Sequence, residues 1–187
     1  MLNEIHREEY QEYLGEPPGV SARGVTEVDK LTLWVLTDNY FDGLRADGKS
    51  TKRYRVGPGK SIHAEQGISF YVETIVGGKT SACMFDYGLD PVGLMNNIAL
   101  LGLDVGKANA FSLSHGHYDH YTSAVSILKQ NQSRIAPGTP FYVGEEAFSR
   151  RYSLRPGATE PADLGQLRKE DIEALGLKVV EVRTPVE

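Results

Sequence analysis

Cysteine, tryptophan and histidine are all scarce in this chain of 187 residues: one Cys, one Trp and five His. A lone cysteine, Cys83, excludes an internal disulfide, and its place in the apolar run SACMF reads as a small core side chain. No apolar run approaches the ~18 residues that a membrane-spanning helix needs. The first 30 residues are polar and acidic and hold no apolar stretch of the kind that export signals carry. A basic excess is missing as well. The 20 Lys and Arg stand against 25 Asp and Glu, a net charge of −5, so the basic face on which general nucleic-acid binding depends is not expected. With 40% hydrophobic residues, the chain reads as a cytoplasmic globular domain with a real core.

Residues 1–29 carry mixed charge and a Pro17-Pro18-Gly19 break, and read as an N-terminal arm with a short helix in HREEYQEYL. The domain proper is expected over 30–187. LTLWVLTD, Leu31 to Asp38, is rich in branched and aromatic residues and predicts a strand. A loop follows over 39–62. From Arg45 to Lys60 it holds six Lys or Arg against a single acid, Asp47, a local reversal of sign that reads either as a solvated loop or as a cationic lid for an anionic substrate.

GISFYVETIV and KTSACMFD, joined at Gly77-Gly78, predict a hairpin. Asp90-Pro91 then opens a helix that Gly102 stops. ANAFSLS predicts a buried strand, SAVSILKQ a helix, PFYVG a strand, EEAFSRR a helix, RKEDIEALG a helix and LKVVEV a last strand. This alternation points to α/β layers.

Against the general scarcity, SLSHGHYDHYTS crowds His115, His117 and His120 into six residues with Asp119 between the last two. Neutral imidazoles and a carboxylate suit zinc, and equally iron or manganese. In an extended segment residues two apart point the same way, so His115 and His117 can reach one ion. Asp119 and His120 are adjacent and need a tight turn to share a second.

This stretch, directly after an apolar strand, resembles the H-x-H-x-D-H signature of the metallo-β-lactamase superfamily. Phe85-Asp86-Tyr87-Gly88 is similar to that family's F-D-T-G segment, with Tyr87 in place of threonine. Asp38-Asn39-Tyr40 and Ala64-Glu65-Gln66-Gly67 resemble the V-D-N and E-H-G segments of a narrower branch, that of dihydropterin ribofuranosylaminobenzene phosphate synthase-like proteins, with Gln66 in place of histidine. The resemblance covers roughly Leu31 to Leu128 and implies an αββα sandwich made of two similar halves. It also implies a divalent metal site, zinc foremost, with His115 and His117 on one ion and Asp119 and His120 on a second. Metal-activated water would then attack a small substrate, with Asp119 and His120 at the reacting centre. Asp86 would hold a ligand histidine from behind, and Asn39 and His63 would stand at the pocket wall.

Such a site draws further ligands from the second half of the fold, yet no histidine follows His120. The only later aspartates, Asp163 and Asp171, lie in polar or helical settings unlike ligands. The chain thus reads as the N-terminal half of the sandwich plus part of the second. Its expected completion is a complementary C-terminal segment, a second chain or a homodimer. The rival reading is a shortened, non-catalytic metal-binding or interaction module. A nucleic-acid-processing hydrolase is a further alternative that the acidic charge disfavours.

Overall fold

The structure, a computed structural model, describes residues 26–183. The helix expected in HREEYQEYL and nearly all of the expected arm lie outside those residues. In chain order the strands and helices are β1 (Lys30–Thr37), β2 (Ser69–Val76), β3 (Lys79–Phe85), α1 (Pro91–Leu100), β4 (Ala110–Leu113), α2 (Tyr118–Tyr121), α3 (Ala124–Asn131), β5 (Pro140–Gly144), β6 (Arg151–Ser153), β7 (Ala162–Gly165), α4 (Lys169–Glu173) and β8 (Lys178–Val182). The fold is a mixed α/β arrangement around one six-stranded sheet in the order β1-β2-β3-β4-β5-β8, with β6 and β7 forming a separate ribbon.

β1, β2 and β3 are an antiparallel meander. Its second turn is Gly77-Gly78, at φ 55° and 78°, the double positive φ that matches the twist of the flanking strands. From β3 onward every neighbour is parallel, so each step needs a crossover, and the helices supply them. Asp90 caps α1 by accepting from Val92 N–H at 3.0 Å, Pro91 occupies the first turn, and Gly102 follows the helix at φ 69°.

The core lies between the helices and one sheet face. Leu36, Tyr71, Met84, Phe111, Leu113, Phe141 and Val143 from the strands form a single cluster with Leu94, Ile127, Leu128 and Ile172 from the helices. Each large aliphatic side chain so buried contributes about 1.5–3 kcal/mol.

The opposite face is also apolar, and along β1 it is open to solvent. Register places Val35, Phe70, Phe85, Ser112, Tyr142 and Val180 in one row across all six strands. On the outer strand Leu31, Leu33 and Val35 are 62%, 56% and 49% exposed. Cys83 belongs to this face and not to the core, because strand alternation sends Ala82 and Met84 inward on either side of it. Half-burial raises its thiol pKa to about 11. One helix layer on one sheet is half of the sandwich that the resemblance implies.

One expectation fails locally, and one element was not foreseen. EEAFSRR is a pair of tight turns, with Ala147 N–H donating to Gly144 O and Ser149 N–H to Glu146 O. These bonds reach back three residues instead of four, and they drive buried Ala147 toward the histidine loop. The β6–β7 ribbon has no apolar alternation and gave no strand signal. Among the described residues, no helix is long and apolar enough to cross a membrane.

Candidate metal centre

The loop His115 to His120 leaves the C-terminal end of β4, the usual position for a site in an open α/β sheet. His115 and His117 meet edge to face with ring centroids 4.4 Å apart, and His115 and His120 lie at 4.1 Å. Three of the five histidines are therefore one cluster. Gly116 is required by space: a Cβ there would fall 2.3 Å from Ala147 O.

Asp86 organises the cluster from below. Its side chain is fully buried. One carboxylate oxygen accepts Ser114 N–H at 2.7 Å, and the other accepts Ser114 Oγ–H and His120 Nδ1–H, each at 2.7 Å. Ser114 has one hydroxyl hydrogen and the carboxylate has none, so that hydrogen lies toward Asp86. The contact between Ser114 Oγ and His115 Nδ1 at 2.9 Å must then have His115 as donor. In its neutral form each ring then presents Nε2 as the free nitrogen, the form a metal requires. Burial, followed by the neighbouring His120 and His117, lowers the pKa of His115 and favours its neutral form.

Asp86 holds φ 57°, the one positive φ on a non-glycine residue among those described. The left-handed conformation costs an L-residue about 1–2 kcal/mol, least for Asp and Asn. It persists because the surrounding backbone over-determines it. Five consecutive N–H groups find partners on separate segments: Asp86 on Ser112 O (3.1 Å), Tyr87 on His120 O (2.7 Å), Gly88 on Ile68 O (3.1 Å), and Leu89 and Asp90 on the Glu65 carboxylate (2.9 and 2.7 Å). Ser69 Oγ–H adds a bond to Asp86 O at 2.7 Å.

The remaining expected residues are placed less centrally. Asp119 opens α2, and its carboxylate makes no hydrogen bond among the described residues. His63 lies on α1 instead of in the cluster. Its Nε2 is 3.7 Å from Glu65 and 3.6 Å from Asp90, and its ring covers Gly93 so closely that a Cβ there would be 2.1 Å from it. Asn39 is exposed, and its side chain makes no hydrogen bond among the described residues. Asp163 accepts from Arg150, and Asp171 from Arg168 at 2.8 Å, so neither is free as a ligand.

Sequence reading gave three groups no role. Glu65 was quoted in a motif and given no role. Asn97, fully buried in α1, donates to Leu36 O and His63 O and accepts His63 N–H. Its signal was an asparagine at the helical spacing of Gly93 and Leu94. Tyr121 lies against the unforeseen ribbon, 3.5 Å from where a Cβ of Gly165 would stand, and burial and then Asp163 raise its phenol pKa.

The donor chemistry fits a divalent ion, since neutral imidazoles are fixed in the ligating tautomer beside a free carboxylate. The set is incomplete: among the described residues, no three His, Cys, Asp or Glu side chains are disposed to hold an ion.

No family model matches the chain. It is 24% identical over 162 residues to the 7,8-dihydropterin-6-methyl-4-(beta-D-ribofuranosyl)-aminobenzene-5'-phosphate synthase of Methanocaldococcus jannaschii, a match covering 87% of this chain and 49% of that protein. The chain spans about half the length of this curated relative. Among solved structures, a quorum-quenching N-acyl homoserine lactone lactonase aligns over 61% of this chain and 45% of its own, at 12% identity and a TM-score of 0.33. The 162 matched residues include the histidine loop and the segments that surround it, and over them the chain is similar to that synthase.

Proposed function

We propose that this chain supplies the first-half ligand loop of a metal-dependent hydrolase of metallo-β-lactamase type, acting on a small anionic substrate in the cytoplasm. The observation that carries the reading is the imidazole cluster with Asp86 behind it, two of its rings tautomerically fixed as ligands. His115, His117, Asp119 and His120 would hold one or two divalent ions, zinc foremost, with iron and manganese as alternatives. When bound, such an ion supplies hydroxide from water at neutral pH and polarises the oxygen under attack. Asp119 would accept the proton of an incoming water, and Asp86 would keep the His120 ring from turning.

The basic loop supports an anionic substrate. Asp47 accepts from Arg53 N–H at 3.0 Å and from the Arg55 guanidinium at 2.6 Å, which folds the loop on itself. Arg45, Lys49, Lys52 and Lys60 form no ion pair among the described residues and leave a local positive field.

Metal analysis tests the reading. Wild-type protein reconstituted with zinc should retain at least one equivalent through gel filtration. His117→Ala should lower zinc affinity by about tenfold or more. Zinc uptake equal in the two proteins would overturn it.

The apolar sheet face, exposed along β1 at Leu31, Leu33 and Val35, supports completion by a complementary segment or a second copy, since an exposed apolar patch marks an interface. Leu33→Lys with Val35→Lys should leave the stability of the isolated chain within about 1 kcal/mol, as surface substitutions do. It should abolish association measured by sedimentation. Association undiminished by two lysines would place the interface elsewhere.

A non-catalytic metal-binding module is the second reading, favoured by the absence of a converging three-ligand set among the described residues. Hydrolysis of a generic phosphoester by the zinc-loaded, completed protein separates the two.

A further inference from the structure

We propose that Glu65 is the positioning residue of the histidine cluster, a buried carboxylate that sets the His120 ring through the backbone of residues 86–90. Glu65 lies on the irregular segment before β2, and its side chain is only 7% exposed. A buried carboxylate without compensating donors is costly. Here both oxygens are engaged by main-chain N–H groups, Leu89 on one and Asp90 on the other. Its own N–H is tied to Asp38 O at 3.1 Å, at the end of β1. The carboxylate also fills space that only glycine opens, because a Cβ at Gly88 would stand 2.3 Å from Glu65 Oε1.

What Glu65 holds is a turn with no regular ladder of its own. Residues 86–90 run between the last residue of β3 and the first of α1. Of their five N–H groups, two end on this single side chain. The same turn presents Asp86 to His120 Nδ1 and Tyr87 N–H to His120 O. The ring nitrogen and the main chain of His120 are both fixed by residues whose own position depends on Glu65. Two residues on, Gly67 touches the same loop from the other side, where a Cβ would be 2.2 Å from Asp119 O. The segment 65–67 therefore bridges the two strand-end turns that make up the cluster. It does so without touching an imidazole of that cluster, which sets it apart from Asp86.

Glu65→Gln keeps the volume but turns one N–H acceptor into an NH2 donor facing a backbone N–H. Glu73→Gln is the control. Glu73 accepts Trp34 Nε1–H at 2.6 Å and makes no hydrogen bond to residues 86–90, so Glu73→Gln reports the loss of a hydrogen-bonded carboxylate charge elsewhere in the sheet. The first measurement uses metal-free protein and follows the His120 Nδ1 proton, hydrogen-bonded to Asp86, by nitrogen-correlated NMR. Glu65→Gln should shift or broaden that resonance, and Glu73→Gln should leave it unchanged. The second measures zinc affinity by chelator competition, where Glu65→Gln should lose about 10–100-fold and Glu73→Gln none.

The proton measurement stands apart from the metal reading; only the affinity measurement rests on it. A wild-type chain that takes up no zinc, with a His120 proton that responds to Glu65→Gln, would sink the metal reading and sustain the positioning role. An unchanged proton and an unchanged zinc affinity in Glu65→Gln would overturn the positioning role. Should Glu65→Gln fail to fold, Glu65→Asp carries the same test, because it keeps the charge but is one methylene too short to reach both N–H groups.

Discussion

Asp86→Ala should lower the stability of the metal-free chain by about 3–5 kcal/mol, the combined cost of donors left without their acceptor and of an unfavourable backbone angle. The loss has two sources. Ser114 N–H, Ser114 Oγ–H and His120 Nδ1–H are left without their acceptor, and each buried donor so orphaned costs about 1–3 kcal/mol. Ser114 is itself exposed, so water recovers part of its share. Alanine must also adopt the φ of 57° that aspartate tolerates better. Asp86→Asn separates the two sources, since it keeps the backbone preference and loses only the charge and one acceptor. Urea denaturation should rank wild type above Asp86→Asn and that above Asp86→Ala. Equal midpoints for wild type and Asp86→Ala would mean that the carboxylate is not the keystone its hydrogen bonds describe. Zinc affinity should fall in the same order.

Gly67→Ala should be nearly as damaging, at about 2–5 kcal/mol. Two penalties combine at this position. The residue has φ 110°, and the added Cβ would lie 2.2 Å from Asp119 O and 3.2 Å from its carbonyl carbon. The obstructing atoms are backbone, so no rotamer relieves them, and Asp119 has to move. Gly77→Ala is the comparison: φ is 55° with open space around it, which leaves the conformational penalty of about 1–2 kcal/mol alone. Thermal or denaturant unfolding of the two variants side by side measures the difference. If Gly67→Ala costs no more than Gly77→Ala, the two turns do not approach as described.

Most of the sheet was legible because its strands carry their own signals. KLTLWVLT and the SFYVETIV–KTSACMF pair are dense in branched and aromatic residues, and Gly77-Gly78 dictates the turn between them. Helix α1 announced itself through Asp90-Pro91. The ribbon and the turns at 145–149 were not legible. Their geometry is set by packing on Tyr121 and Gly116, partners far away in sequence. Cys83 was assigned to the core because the run around it is apolar on both faces, a pattern that hides which side of the sheet is bare.

In the site, the histidines and Asp86 could be read from spacing and resemblance. Glu65 and Asn97 could not be assigned roles, because each acts on main-chain groups, and which main-chain groups come within reach is decided only by the fold. His63 was drawn toward the pocket wall by its residue type, whereas its surroundings are Gly93, Glu65 and Asp90.

Tyr87 ties this chemistry to the interior. Its ring is fully buried and stacks on Phe141 of β5, with centroids 5.9 Å apart and planes 16° from parallel, while its N–H holds the His120 carbonyl. A loop that carries ligands on an independent hinge could exchange with solvent through small local openings. Here His120 cannot leave its place without drawing on a residue anchored in the central packing of the sheet, so its opening is coupled to the core rather than to a local hinge.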